Sequence, residues 1–209
     1  NTLSNPRCIE TGLVEAWSIA LSPDADVIAS GNQKGDLKLW SIESCELVKT
    51  YTAPTEAANF ISYTIFHPDG DKVALADMNG GIRIFDISKS SYIFYDADSF
   101  KLPIRSLCFS PDGSLLYACS DDRHVIVFDW LQQTIINSFS HFGMCMSIDC
   151  SQDNRRFVVG CADGSVVLWD IGMQKRLGAN NNKSNDMITG VKWGNSNKHV
   201  LSVGDDSNM

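Results

Sequence analysis

Short apolar runs, rich in valine, isoleucine, leucine and aromatic residues, alternate along the chain with clusters of glycine, aspartate, asparagine, serine and proline. Gly160 to Ile171 shows the pattern most clearly, with Asp163-Gly164 set between two apolar runs. Glycine tolerates positive φ and aspartate can bond its own turn backbone, so this stretch reads as a β-hairpin. Strands are expected at Glu15 to Leu21, Val27 to Gly31, Leu37 to Ile42 and Leu47 to Thr52. The next four are Phe60 to Phe66, Lys72 to Ala76, Gly81 to Ile87 and Tyr92 to Tyr95. They recur at Ile104 to Phe109, Leu115 to Ser120, Val125 to Trp130 and Thr134 to Phe139. A fourth set spans Met144 to Cys150, Arg156 to Cys161, Ser165 to Ile171 and Gln174 to Leu177. Met187 to Trp193 and Lys198 to Val203 begin a fifth, and Arg7 to Thr11 reads as a lone leading strand.

Two markers keep time with these strands. Trp40-Ser41, Phe85-Asp86, Phe128-Asp129 and Trp169-Asp170 close successive runs at spacings of 45, 43 and 41 residues. Ser22-Pro23-Asp24, His67-Pro68-Asp69, Ser110-Pro111-Asp112 and Ser151-Gln152-Asp153 keep the same beat, with a degenerate copy at Gly194-Asn195-Ser196. A period of this length ending in a Trp-Asp-type dipeptide marks the blades of an all-β propeller, four antiparallel strands to a blade. The chain resembles the WD-repeat family over nearly its whole length. Blades are expected at about 13-53, 58-97, 102-140 and 143-179, with a partial blade at 186-209, all in one propeller domain. That is fewer than five blades, and an unclosed propeller leaves sticky edge strands. Propellers of the resembled family usually have seven blades, needing roughly 300 residues at this period. The expectation is therefore a longer protein, which a mass clearly above 23 kDa for the intact sample would bear out.

Composition narrows the function. The net charge of −8 comes without a basic run, which disfavours direct nucleic-acid binding, since phosphate neutralisation drives it. No window approaches eighteen consecutive apolar residues, so no membrane span is expected. Asn1 to Glu10 lacks the apolar core of a signal peptide. The seven cysteines are scattered singly with no Cys-x-x-Cys, and read as small buried hydrophobes kept reduced, rather than as zinc ligands or disulfides. Cytosol and nucleus are the expected compartments. Asn182-Lys183-Ser184 matches a glycosylation sequon that is idle without secretion.

Most polar landmarks read as structural. The resembled family often joins a histidine, a serine or threonine, an aspartate and a tryptophan in a buried hydrogen-bond set. His141, Asp163 and Trp169 come closest to that set here, and Asp122 and Asp206 hold the same turn position in their own blades. Lys34 and Asn79 replace the aspartate in the first two blades, which are expected to rely on packing. His67, His124, His141 and His199 fall in four different repeats, and no nucleophile elbow, His-Glu-x-x-His or P-loop is present. Asp121-Asp122 and Asp205-Asp206 recur at one turn position, a structural signature rather than a pair for acid–base work. Neither a catalytic group nor a cofactor site is expected.

Counting from the Ser-Pro-Asp marker places residues on the narrow top face of the propeller. Glu15, Trp17, Phe60, Met78, Arg105, Met144, Met146 and Met187 fall there. Aromatic, methionine and arginine enrichment is the compositional mark of an interface core. Val14 to Asp24, with its Ala16-Trp17, and Pro103-Ile104-Arg105-Ser106 further resemble the WD-repeat subunits of superkiller complexes. Phe109 to Asp112 and Val203 to Asp206 follow the same pattern, whereas His67, Gln152 and the asparagine-rich loop depart from it. The resemblance implies a non-catalytic scaffold joining a tetratricopeptide subunit and an RNA helicase that feed RNA to the cytoplasmic exosome. It also implies association with the RNA polymerase II-associated factor complex in the nucleus, and partner binding on the propeller top. The alternative is a WD-repeat adaptor of another assembly, either a ubiquitin-ligase substrate receptor or a chromatin-complex subunit.

Overall fold

The computed structural model describes residues 8–11, 16–54, 58–179 and 186–205. Glu15, Asp206 and the Asn182 sequon lie outside them. The first sheet is β1 (Ser18–Leu21), β2 (Val27–Gly31), β3 (Leu37–Ser41) and β4 (Leu47–Tyr51). The second is β5 (Ile61–Phe66), β6 (Lys72–Asp77), β7 (Ile82–Asp86) and β8 (Ser91–Asp96). The third comprises β9 (Ile104–Phe109), β10 (Leu115–Ser120), β11 (His124–Asp129) and β12 (Thr134–Ser140). The fourth comprises β13 (Cys145–Cys150), β14 (Arg156–Cys161), β15 (Val166–Asp170) and β16 (Lys175–Ala179). β17 (Ile188–Trp193) and β18 (Val200–Gly204) pair as a two-stranded fifth sheet. Every sheet is an antiparallel meander in chain order. Residues 8–11 form no strand, so the leading strand expected from Arg7 to Thr11 is not present among them.

The first strands β1, β5, β9, β13 and β17 lie side by side, each touching the next, and the sheets radiate from them as propeller blades. Each apolar core is therefore a seam between two sheets. Ala29, Leu37 and Leu39 meet Ile61, Phe66, Leu75 and Phe85 in the first seam. Ala76, Ile84 and Phe94 meet Ile104, Phe109, Leu116 and Phe128 in the second. Tyr117, Cys119 and Val127 meet Cys145, Ile148, Phe157 and Val159 in the third, and Val158 meets Ile188, Val191 and Trp193 in the fourth. A sheet packed on both faces needs apolar residues at successive positions, which is why β10 and β11 carry continuous apolar runs rather than alternating ones. The outer strands β4, β12 and β16 are mostly exposed.

The repeated markers are turn devices. In Ser110-Pro111-Asp112 the serine hydroxyl donates to Asp112 Oδ1 at 2.6 Å and accepts from Leu115 N at 2.9 Å, fixing where β10 starts. Ser22 accepts from Val27 N and Ser151 from Arg156 N in the same way. His67 replaces the serine in the second sheet, and its Nε2 reaches Gly113 O of the third sheet at 3.0 Å. The hairpin at Asp163-Gly164 is a three-residue loop: Gly164 N donates to Cys161 O at 3.2 Å and Cys161 N to Ser165 O at 2.9 Å. Gly164 has φ +80°, the conformation that closes such a loop. Gly31 serves packing instead, because a Cβ there would sit 2.3 Å from Ile61 Cγ2 of the next sheet.

Candidate functional site

One backbone irregularity builds the top face. In each of sheets two to five the register slips where the first strand begins: Ile61 faces Asp77, but Tyr63 faces Ala76. The same slip skips Arg105 between Ile104 and Ser106, Met146 between Cys145 and Ser147, and Thr189 between Ile188 and Gly190. A bulged residue is left out of the ladder and its side chain is re-aimed. Ser62, Arg105, Met146 and Thr189 are these residues, and Trp17 holds the corresponding place in the first sheet. The bond that precedes each bulge repeats as well. Met78 N donates to Phe60 O at 3.0 Å, Asp121 N to Pro103 O at 3.0 Å, Ala162 N to Met144 O at 2.8 Å, and Asp205 N to Met187 O at 3.0 Å.

Trp17, Phe60, Ser62, Met78 and Arg105 converge on one cavity of about 370 Å³. Trp17 is 63% exposed, and its ring meets Phe60 edge-on with centroids 4.8 Å apart. The indole thus stands in solvent, supported on one side only. Arg105 is held by Asp121 through a fork, Nε to Oδ1 at 2.8 Å and a terminal nitrogen to Oδ2 at 2.5 Å. That pair raises the guanidinium's affinity for its proton and fixes its plane, while the remaining N–H donors stay available. The rim cation is therefore locally neutralised by Asp121. Of the expected face residues, Trp17, Phe60, Met78 and Arg105 meet here. Met144, 44% exposed, Met146 and Met187 belong to the fourth and fifth sheets and do not line this cavity. Glu15 falls outside the described residues. Ser62, which the same count from the Ser-Pro-Asp marker places on the top face, lines the cavity as a fifth residue.

The expected hydrogen-bond set of the fourth sheet is not formed. Asp163 Oδ1 accepts from Ser165 N and Oγ at 3.1 and 2.6 Å and makes no bond to His141. Trp169 Nε1 and His141 Nε2 are buried without a partner. The reason is one residue: ten positions before Trp169 stands Val159, which offers no acceptor. In the first sheet Ser30 stands ten positions before Trp40, and Trp40 Nε1 donates to its hydroxyl at 2.9 Å. The first sheet was expected to rely on packing and carries that bond instead. In the second sheet Asp77 caps the turn instead, its Oδ1 accepting from Asn79 N at 2.9 Å and Gly81 N at 2.8 Å. Asp122 Oδ1 accepts from His124 N at 3.0 Å, capping its own turn, and Asp206 is outside the described residues.

His141 Nδ1 instead lies 3.7 Å from Cys161 Sγ. Cys145 faces Cys161 across β13 and β14, both thiols fully buried. The bond to Cys145, and then the His141 ring, push the Cys161 thiol well below its ordinary range, while the same pairing and burial push Cys145 up. His141, Cys145 and Cys161 are a set that could hold a metal ion, their ligand atoms all within 4.8 Å of one another.

The family profile described as WD domain, G-beta repeat, matches residues 8–41, 91–129 and 133–170, more than half of the chain. The chain belongs to the WD-repeat family. Each of the two later matches joins the outer strand of one blade to the inner three of the next, so a WD repeat in sequence is one strand out of phase with a blade. WD-repeat proteins are typically non-catalytic scaffolds for protein interactions. The chain is 34% identical to a WD repeat-containing protein, SL1-17, of Schistosoma mansoni over 55% of its own length and 36% of that protein's. It is 29% identical to WD repeat-containing protein VIP3 of Arabidopsis thaliana, over 50% of the chain and 36% of the relative. With the small ribosomal subunit protein RACK1y of Oryza sativa subsp. japonica it shares 25% identity over 77% of the chain and 48% of the relative. The chain thus spans between about a third and a half of the length of these curated relatives.

Proposed function

We propose that this WD-repeat chain is a non-catalytic scaffold that binds a short partner segment on the face built from Trp17, Phe60, Met78 and Arg105. We further propose that it serves a superkiller complex in exosome-mediated 3'-5' mRNA decay. Its partners there are a tetratricopeptide-containing protein and an RNA helicase. In the nucleus it joins the RNA polymerase II-associated factor complex during transcription elongation. The chain itself contacts neither nucleic acid nor membrane on this reading. The observation that carries it is a convergence: Ala16-Trp17 and Pro103 to Ser106 lie more than eighty residues apart, yet Trp17 and Arg105 line one cavity. Those are the two stretches most specific to the superkiller-type resemblance. An exposed indole backed by a half-buried phenyl ring, beside a planar, pre-oriented guanidinium, suits an apolar anchor flanked by a carbonyl or carboxylate.

The test is affinity capture of the intact protein from its own cells, read by mass spectrometry, with wild type beside Trp17→Ala/Phe60→Ala. Recovery of a tetratricopeptide protein and a helicase, lost in the double variant while the fold persists, is the expected result. A loss of at least about tenfold in affinity is expected from two such anchors. Undiminished capture by the double variant sinks the face. Recovery of ubiquitin-ligase or histone-modifying subunits in place of the helicase sinks the pathway and leaves the face standing.

A further inference from the structure

The fourth sheet holds a cluster that the top-face reading does not use. Ala162 N donates to Met144 O, so Cys145 and Cys161 form a non-hydrogen-bonded pair, the kind that brings side chains closest across antiparallel strands. The same pair in the other sheets is Ile61 with Asp77, Ile104 with Ser120, and Ile188 with Gly204. Among the described residues, only the fourth sheet puts two thiols there. In the first three sheets the later residue of the pair position caps the following turn. Asn32 Oδ1 accepts from Lys34 N, Asp77 Oδ1 from Asn79 N, and Ser120 Oγ from Asp122 N. A thiol accepts weakly, and Cys161 turns to Cys145 and to His141, which arrives from the loop between β12 and β13.

The donor set is two sulfurs and one imidazole nitrogen, soft enough to select a thiophilic ion over magnesium or calcium. The His141 Nδ1 to Cys161 Sγ distance of 3.7 Å is near the edge of a zinc tetrahedron, about 3.5 Å for bonds of about 2.0 and 2.3 Å. His141 Nε2 has no acceptor and its ring stands edge-on to Trp169, 5.6 Å between centroids. A proton on Nε2 leaves the Nδ1 lone pair directed to the sulfur side, the tautomer a metal requires.

We propose that His141, Cys145 and Cys161 form a three-ligand zinc site with a fourth position open to water, pinning the loop before β13 to strand β14. The site replaces, by coordination, the hydrogen-bond set that Val159 forbids.

The intact protein, purified with reductant and without chelator, is expected to carry one zinc per chain by plasma mass spectrometry. After zinc removal, Co²⁺ is expected to give sulfur-to-cobalt charge transfer in the near ultraviolet and the intense visible bands of a four-coordinate site. Cys145→Ser and Cys161→Ser should each weaken Co²⁺ by more than the roughly 10–100-fold that loss of an outer-shell partner costs. Cys108→Ser/Cys150→Ser removes another close thiol pair, Sγ atoms 3.3 Å apart, and should leave the cobalt spectrum unchanged. Circular dichroism on each variant separates lost ligation from lost fold. Reduced wild-type protein that takes up neither zinc nor cobalt overturns the site, whatever the variants do. So does a cobalt spectrum that survives Cys145→Ser/Cys161→Ser, or one abolished only by the Cys108 and Cys150 changes. A Cys145–Cys161 disulfide in protein purified without reductant, in place of the metal, also overturns it.

Discussion

Trp40 in the first sheet and Trp169 in the fourth occupy the same place on the third strand of their blades, and their surroundings differ. Trp40 is 5% exposed and gives its N–H to Ser30. Trp169 faces no hydroxyl, and aromatic rings surround it instead. Phe139 lies 4.9 Å away, His141 5.6 Å, and Phe157 6.4 Å in near-parallel stacking. The fourth repeat is the one that keeps His141, Asp163-Gly164 and Trp169-Asp170, so by its letters it should be the better bonded of the two. The lesson is that a hydrogen bond needs both partners, and a marker residue records only one. Where Val159 removed the acceptor, packing and the thiol–imidazole cluster hold the blade.

If packing holds the fourth sheet, its largest weak point is Phe157, fully buried against Tyr117, Phe139 and Trp169. Phe157→Ala is expected to cost about 3–5 kcal/mol in denaturant unfolding of the intact protein. Ile28, which faces Trp40 as Phe157 faces Trp169, is only half-buried, and Ile28→Ala should cost distinctly less. Equal losses at the two positions would break the contrast.

The converse change is smaller. Ser30→Val copies the fourth sheet's arrangement into the first and strands Trp40 Nε1, at a cost of about 1–3 kcal/mol. In a Trp40→Phe background, which has no N–H to strand, most of that cost should vanish. A double-mutant cycle with no coupling between Ser30 and Trp40 would show that the bond carries nothing. Val159→Thr runs the comparison backwards, keeping most of the side-chain volume while offering Trp169 an acceptor. Its expected effect is between zero and a gain of about 1 kcal/mol; a clear loss would mean that the indole N–H cannot reach the new hydroxyl.

The smallest expected effect concerns a turn that the first, third and fourth sheets share. Asp24, Asp112 and Asp153 each have their carboxyl pKa lowered from 3.8, first by the hydroxyl of the preceding serine. A folded-state pKa below the unfolded one contributes stability that is complete above about pH 3.8 and lost as pH falls through the lowered value. Unfolding midpoints should therefore be insensitive to these groups near neutrality and decline on the acid side. Asp112→Asn/Asp153→Asn should make the acid decline shallower. An unchanged acid limb would show that these exposed turns contribute no linked stability.

Much of the fold was legible because it rests on local rules repeated in phase. Strand starts follow from Ser-Pro-Asp, whose hydroxyl caps the next strand, and the turns between second and third strands from residues that tolerate or require positive φ. The candidate face was legible through counting alone: Trp17 and Arg105 hold the bulge position, Phe60 lies two residues before it, and Met78 is bonded to Phe60 across the strand pair. Met144, Met146 and Met187 share those positions too and still miss the cavity, because it spans only the neighbouring rims of the first three sheets. Asp121 as the partner of Arg105 was hidden for a different reason. The two are sixteen residues apart, and only the bulge swings the guanidinium onto the turn beside it.

By itself the sequence determined the repeat, its four-strand unit, the turn chemistry and the family, since each depends on residues within one period. The tertiary structure decided everything that depends on two strands meeting. Cys145 and Cys161 are unremarkable in sequence and become a close thiol pair only through the register of β13 against β14. His141 changes from an expected member of a serine–aspartate network to a neighbour of sulfur, because Val159 and Cys161 decide what it finds there. Local propensity acts through the backbone and can be read along the chain. Hydrogen bonds and ligand sets depend on distances of a few ångströms between residues tens of positions apart, and those the fold alone supplies.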